Sequence, residues 1–154
     1  MQPRTLLRYE TFTDLIVDLN KLSNGYTQTG NWDLAQCAGH LCQWMSFPMQ
    51  GYPRVPWLLK KLVFPMMRSG YRKQYLGLIP IKKGGPTMKE TVPPPGGDES
   101  GAVSELMVWI ERLQHHTGPW YDSPVLGKLS REEVFQAQLT HCAHHLSFLV
   151  PKSE

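Results

Sequence analysis

The sequence predicts an all-α protein, a four-helix bundle with a long irregular crossover between its second and third helices. Two observations support this fold class. Four segments repeat apolar residues at the three- and four-residue spacing of an amphipathic helix. Between the second and third of them, residues 51–97 are rich in proline and glycine, which disfavour regular structure. The 154 residues suit one domain, so we expect a single bundle over residues 1–154.

The first two helices are predicted in the N-terminal third of the chain. Helix one is expected over about residues 12–24 and ends at Asn24-Gly25, because glycine tolerates the left-handed conformation of a helix C-terminus. Helix two should begin with Asn31 as its N-cap and be limited by Pro48. The apolar positions of the two helices are Phe12, Leu15, Ile16, Leu19 and Leu22, then Leu34, Cys37, Ala38, Leu41, Trp44 and Met45.

The other two principal helices are predicted after the crossover. Helix three is expected near residues 100–116, ahead of Gly118-Pro119. Helix four should begin with Ser130 as its N-cap and Glu133 three positions later, which together form a capping box, and should end before Pro151. Inside the crossover we expect only a short helix, around residues 57–67, interrupted by Pro65.

Composition narrows the class of protein. Hydrophobic residues make up 41% of the chain and charged residues 19%, values ordinary for a globular protein. No run of 18 apolar residues exists, and the N-terminus lacks the apolar core of a signal peptide. We therefore expect a cytoplasmic protein with no membrane partner.

Basic residues are concentrated in the crossover. Between Asp33 and Glu90 the chain has nine lysines and arginines and no acidic residue. Such a block is typical of a solvated loop, of a site for an anionic ligand or, least favoured here, of a nucleic-acid surface. If a ligand is bound, we expect Arg54, Arg68 and Arg72 to contribute to the rim of its pocket.

Three histidines lie close together near the C-terminus, in the segment LTHCAHHLSFL. His141 and His145 are one helical turn apart in the middle of the apolar stripe, and His144 is at its margin. A buried imidazole needs a partner, and a pair at this spacing can give two ligands to one metal ion. His40 of helix two is the candidate third ligand. Hydrogen-bonded core histidines and a metal-free acid/base role are the alternatives.

Two longer segments resemble a known family. GNWDLAQCAGHL in helix two and GKLSREEVFQAQLTHCAHHLSFLVP in helix four are similar to the DinB/YfiT-like superfamily, and the resemblance extends over about residues 8–151. It implies a four-helix bundle, commonly dimeric, in which one histidine of the second helix and two of the last bind a divalent metal ion. Those positions are His40, His141 and His145.

The resemblance also implies an activity. Some members are metal-dependent S-transferases or hydrolases, so we expect a small-molecule or thiol substrate and zinc or nickel as the metal, with iron or another ion as alternatives. His144 is a candidate catalytic residue, and Gln138 a candidate to orient a ligating histidine. The alternative is a non-enzymatic binding or structural bundle with core histidines. The turn DSPVLGKLS departs from the pattern, because Ser123 and Leu126 stand where relatives tend to have a histidine and an aromatic residue.

Overall fold

The structure, a computed structural model, describes residues 2–5, 7–84 and 89–152. Residues 1, 6, 85–88, 153 and 154, which belong to the predicted domain and in part to the predicted crossover, lie outside the described residues. The described chain is mostly helical. Its helices are α1 (Phe12–Ser23), α2 (Leu34–Gln50), α3 (Phe64–Tyr75), α4 (Glu99–His115) and α5 (Arg131–Leu146), and its strands are β1 (Tyr26–Gln28) and β2 (Leu149–Pro151).

Local capping determines where the principal helices begin. Ser130 accepts a hydrogen bond from the Glu133 amide, and the Glu133 side chain bonds back to Ser130, so the predicted capping box of α5 is confirmed. The predicted N-cap of α2, Asn31, is wrong. Asp33 caps α2 instead, because its carboxylate accepts the Gln36 amide while the Gln36 side chain reaches back to the Asp33 amide.

Helix α2 lies at the centre of the fold. Its buried side packs against α4 and α5, and α1 packs against the same two helices. Helices α2 and α5, which carry the three candidate histidines, are therefore in contact. The core between these helices is mainly aliphatic, with fully buried side chains that include Leu15, Leu19, Leu22, Leu34, Leu41, Met45, Leu106, Ile110, Leu113, Leu146 and Leu149.

A small two-stranded sheet closes one end of the helices and was not predicted. β1 and β2 pair antiparallel, with Thr27 opposite Val150. Three-residue strands give too short an alternating pattern to be read from a sequence. The sheet ties the end of α5 to the loop that precedes α2, so it fixes Trp32 near the C-terminal half of α5.

The crossover holds more helix than the sequence predicts. Residues from Trp57 onward are helical, pass through a π-helical turn at Leu59–Val63 and continue as α3 to Tyr75. The predicted interruption at Pro65 is wrong: Pro65 lies just after the π-helical turn, and the helix continues through it to Tyr75. In the π-helical turn the Phe64 amide bonds to the carbonyl of Leu59, five residues back.

Candidate metal centre

Three histidines converge where α2 meets α5. His40 comes from α2, and His141 and His145 come from successive turns of α5. Each offers one ring nitrogen, and the three nitrogens lie within 4.8 Å of one another. His40 and His141 are 1% and 4% exposed, and His145 is mostly covered. The trio predicted from the sequence is thus close enough to hold one metal ion.

The hydrogen bonds of these rings leave two buried nitrogens unpartnered. His40 Nδ1 lies 2.8 Å from Thr91 Oγ1, and His145 Nε2 lies 2.9 Å from His141 Nε2. Among the described residues, His40 Nε2 and His141 Nδ1 have no hydrogen-bond partner. A buried polar atom left without a partner costs about 1–3 kcal/mol. Hydrogen bonds within the described residues therefore leave two of the three rings, His40 and His141, only partly satisfied.

Aromatic side chains surround the three imidazoles. Trp32 stacks on the His145 ring with 4.9 Å between centroids and an interplanar angle of 2°. On the opposite side, the Trp44 ring meets His141 edge to face at 4.5 Å, and Tyr75 of α3 lies 5.6 Å from His141. These flat apolar surfaces exclude water from the rings and restrict their rotation.

Burial keeps the three imidazoles neutral. Desolvation lowers the pKa of His40 to about 4. It also lowers the pKa of His141 and of His145 well below the ordinary value. A positive charge on a neighbouring histidine would disfavour the protonated form of each ring further. Since only a neutral imidazole has a free lone pair, all three side chains are in the ligating form at neutral pH.

A proline in α2 creates a link between α2 and α5 next to the site. Pro48 has no amide proton, so it cannot bond to the carbonyl of Trp44 one turn earlier. That carbonyl instead accepts a hydrogen bond from Gln138 Nε2 of α5, at 3.1 Å. Gln138 lies one turn before His141, and its Oε1 is buried with no partner among the described residues. The predicted orienting residue therefore lies one turn from His141, and its Oε1 is not bonded to any of the three rings.

The crossover supplies Thr91, which the sequence analysis missed. Thr91 is buried and ends a short 3-10 turn at Lys89–Thr91. The segment after it lies on α2, since Gln36 Nε2 donates to the Pro93 carbonyl at 3.0 Å. A Cβ atom on Gly39 would come within 2.6 Å of the Pro93 side chain, so this close approach requires glycine. A glycine in a helix interior next to His40 is the one sequence feature that could have indicated a segment packed closely on α2 at this point.

Two of the three arginines predicted at the rim of a ligand pocket, Arg68 and Arg72, bond to other residues of the protein. Arg72 donates to the carbonyls of Leu126 and Lys128, both at 3.1 Å, and forms an ion pair with Glu133. Arg68 donates to the carbonyl of Val125 at 3.4 Å, whereas Arg54 is exposed. Arg68 and Arg72 therefore attach α3 to the loop before α5. That any of the three arginines binds a ligand stays a prediction.

The remaining histidines lie outside the trio. The His144 ring is 5.1 Å from the His145 ring, and burial together with the charge of Lys83 lowers its pKa. His144 is thus a neutral base at the edge of the site, and its catalytic role stays a prediction.

His115 and His116 end α4 and bond to the carbonyls of Glu111 and Pro119. Neither belongs to the group of nitrogens at the site.

A small cavity lies among α2, α3, α5 and the loop before α5, and none of the three histidines lines it. This cavity of about 10 Å³ is bordered by side chains that include Trp44, Tyr75, Leu126 and Gln138. This volume admits about one water molecule and no organic substrate. Ser123, at the predicted departure from the family pattern, is buried and accepts the Leu126 amide at 3.1 Å, so it closes the turn that carries this side of the cavity.

Comparison with known proteins gives one match. The sequence matches, over residues 1–152, a family described as "Protein of unknown function (DUF1569)". No curated protein and no solved structure matches the chain. Within the described residues, no helix has the length and apolar character needed to cross a membrane.

Proposed function

We propose that this chain, which belongs to the DUF1569 family of proteins of unknown function, binds a divalent metal ion through His40, His141 and His145. The observation that carries this proposal is the convergence of three imidazole nitrogens in a buried place where hydrogen bonds leave His40 and His141 only partly satisfied. We further propose that α1, α2, α4 and α5 form a four-helix bundle of the DinB/YfiT-like kind around this site.

The donor set fits zinc or nickel and disfavours magnesium and calcium. Imidazole nitrogen suits both ions, as well as iron and copper, whereas magnesium and calcium prefer oxygen ligands. The sulfur of Cys37 lies 3.9 Å from the His145 carbonyl, but burial raises the pKa of Cys37 to about 12. A protonated thiol is a poor ligand. Hence Cys37 does not compete with the three imidazoles.

We propose a metal-dependent transferase or hydrolase acting on a small molecule or thiol as the activity. A divalent ion held by three neutral ligands keeps its full charge and an open position, where it would acidify a water or thiol. The protein's contribution is orientation and exclusion of water. Thr91 holds the His40 ring by its Nδ1, Trp32 covers the His145 ring, and His144 is placed to accept a proton at the edge of the site.

A second candidate is a metal-binding or structural bundle without activity. The observation in its favour is the cavity of about 10 Å³, which leaves no room for a substrate next to Trp44 and Tyr75. In this candidate the histidines stabilise the packing of α2 on α5. The enzyme proposal instead requires a substrate to enter by movement of the crossover, whose Tyr75 covers His141.

Thermal unfolding with added metal tests the binding proposal. Metal-free protein, purified without a histidine tag, should unfold at a higher temperature when zinc or nickel ions are added. The reason is that a ligand bound only to the folded state adds about 2.7 kcal/mol at a hundred times its Kd. Magnesium should leave the unfolding temperature unchanged. Equal unfolding temperatures with and without every ion that imidazole prefers would contradict the proposal.

Substitution of Gln138 tests its proposed role in orienting His141. The Gln138→Leu variant should bind zinc about 10- to 100-fold more weakly, the usual cost of losing a group that orients a ligand. Gln136→Leu is the matched control, because Gln136 bonds to Thr140 on another side of α5. Calorimetric titration provides both affinities. Equal zinc affinities for Gln138→Leu and the wild type would show that Gln138 only packs α2 against α5.

A further inference from the structure

The first residues of the crossover helix are exposed to solvent. Every residue from 56 to 63 is exposed, although most of them are large and apolar. Trp57 is 69% exposed and Met66 is 86% exposed. Soluble surfaces seldom leave so many large apolar side chains together in water, and such patches mark sites of interaction. The exposed apolar residues of this helix, called here the apolar prong, are Trp57, Leu58, Leu59, Leu62, Val63, Met66 and Met67.

The apolar residues of the prong are arranged along the helix. Leu58, Leu62 and Met66 are four residues apart, and Leu59, Val63 and Met67 form a second row with the same spacing. A spacing of four lies between the period of an α-helix and that of the wider π-helical turn, so each row stays near one side. The prong therefore presents a continuous apolar face.

The base of the prong is attached to the body of the protein. Arg68 and Arg72 of α3 donate to the carbonyls of Val125, Leu126 and Lys128, and Arg72 pairs with Glu133. Trp57 precedes Arg68 by 11 residues, a helical length of about 16 Å. The apolar side chains are thus held away from the core by a fixed support.

Every charged residue of the crossover helix is basic. Lys60 and Lys61 are exposed on the same helix as the apolar rows, and Lys73 lies exposed further along it. A second exposed apolar pair, Leu78 and Ile79, is followed by the exposed lysines at 82 and 83. No acidic residue occurs anywhere from residue 34 to residue 89. A partner for this surface must offer an apolar layer together with negative charge.

A second copy of the chain does not fit this description. In a symmetric contact between two prongs, the lysines of one chain would meet the same lysines of the other, and like charges near a contact oppose association. An anionic lipid surface offers an apolar layer beneath negatively charged headgroups. Helices with an apolar face and lysines on their flanks bind at such interfaces, with Trp near the headgroups.

We infer that the apolar prong docks this protein on an anionic membrane surface. Leu58, Leu62 and Met66 enter the headgroup boundary, Trp57 lies at the interface, and Lys60 and Lys61 contact lipid phosphates or carboxylates. No spanning segment is needed for this mode of binding. The lack of a run of 18 apolar residues argues against a spanning helix and does not exclude binding at a membrane surface.

Sedimentation with lipid vesicles tests the inference. The full chain should pellet with vesicles made of equal parts phosphatidylcholine and phosphatidylserine, and much less with phosphatidylcholine alone. Binding should weaken as salt concentration is raised, because salt screens the lysines. Trp57 fluorescence should shift to the blue on binding, and the shift should be absent from the Trp57→Phe variant.

Two matched double variants separate insertion from a general effect of new charge. Leu58→Asp, Leu62→Asp should reduce the fraction bound at least tenfold, whereas Val17→Asp, Val108→Asp, which changes exposed valines of α1 and α4, should bind like the wild type. All four positions are exposed, so both variants should keep the wild-type circular dichroism spectrum.

Several results would overturn the inference. They are equal binding to both kinds of vesicle, no binding to either, and wild-type binding by Leu58→Asp, Leu62→Asp. A lipid-free dimer that this variant dissociates, without vesicle binding, would assign the prong to a second copy instead. None of these measurements depends on the metal centre.

Discussion

The His141→Ala, His145→Ala double variant should contain no divalent metal when the wild type is saturated. Two of the three proposed ligands come from this pair, and His40 alone provides a single imidazole. We expect metal affinity to fall by more than the roughly hundredfold cost of losing an orienting group. Elemental analysis of untagged protein, dialysed after loading with zinc or nickel, measures the metal bound per chain.

Controls distinguish loss of ligands from loss of fold. His115→Ala, His116→Ala removes two histidines at the end of α4 and should leave the metal content unchanged. His141→Gln, His145→Gln keeps most of the side-chain volume and should also lose the metal, while its circular dichroism spectrum stays that of the wild type. Equal metal content in either His141/His145 variant and the wild type would exclude these residues as ligands.

Metal-free protein should lose stability as the pH is lowered from about 6.5 towards 4. In the unfolded chain the three histidines titrate near 6.5. Burial lowers the pKa of His40 to about 4 and holds the pKa of His141 and of His145 well below the usual value. Below pH 6.5 the unfolded chain therefore binds protons that the folded protein does not, and the equilibrium shifts towards unfolding. His40 alone accounts for a loss on the order of 3 kcal/mol at pH 4.

Urea unfolding with a chelator present, at a series of pH values, measures this dependence. The His141→Gln, His145→Gln variant should show a shallower decline of the unfolding free energy over this range, because two of the groups with lowered pKa are gone. His115→Gln, His116→Gln should follow the wild type, since those side chains lie at the exposed end of α4. The same decline in all three proteins would show that other groups determine it.

The helices were predictable because their signals are local. Apolar spacing and the Ser130–Glu133 capping box define the start and the buried face of α5 from neighbouring residues alone. The N-cap of α2 was misplaced because Asn31 and Asp33 are both good capping residues, and the Gln36 side chain that selects Asp33 was not considered. The length of the crossover helix does not follow from the sequence, because Pro65 predicts an interruption whereas the helix continues through it just after the π-helical turn.

The candidate site was predictable in part. The helical period placed His141 and His145 on the buried face, and the family resemblance added His40. Thr91 was missed because its contact with His40 joins residues that are 51 positions apart through an irregular segment. The partners of Arg68 and Arg72 are mostly backbone carbonyls of a loop, and no side-chain pattern reveals such acceptors.

X-ray absorption spectroscopy of the zinc- or nickel-loaded protein tests the central claim most directly. The account predicts about three imidazole nitrogens at about 2.0–2.2 Å from the metal, with any remaining ligand an oxygen atom, such as that of water, and no sulfur. The same spectrum from His40→Ala should show fewer imidazoles. A first shell that contains sulfur from a cysteine, or only oxygen ligands without the scattering of imidazole rings, would contradict a centre built from His40, His141 and His145.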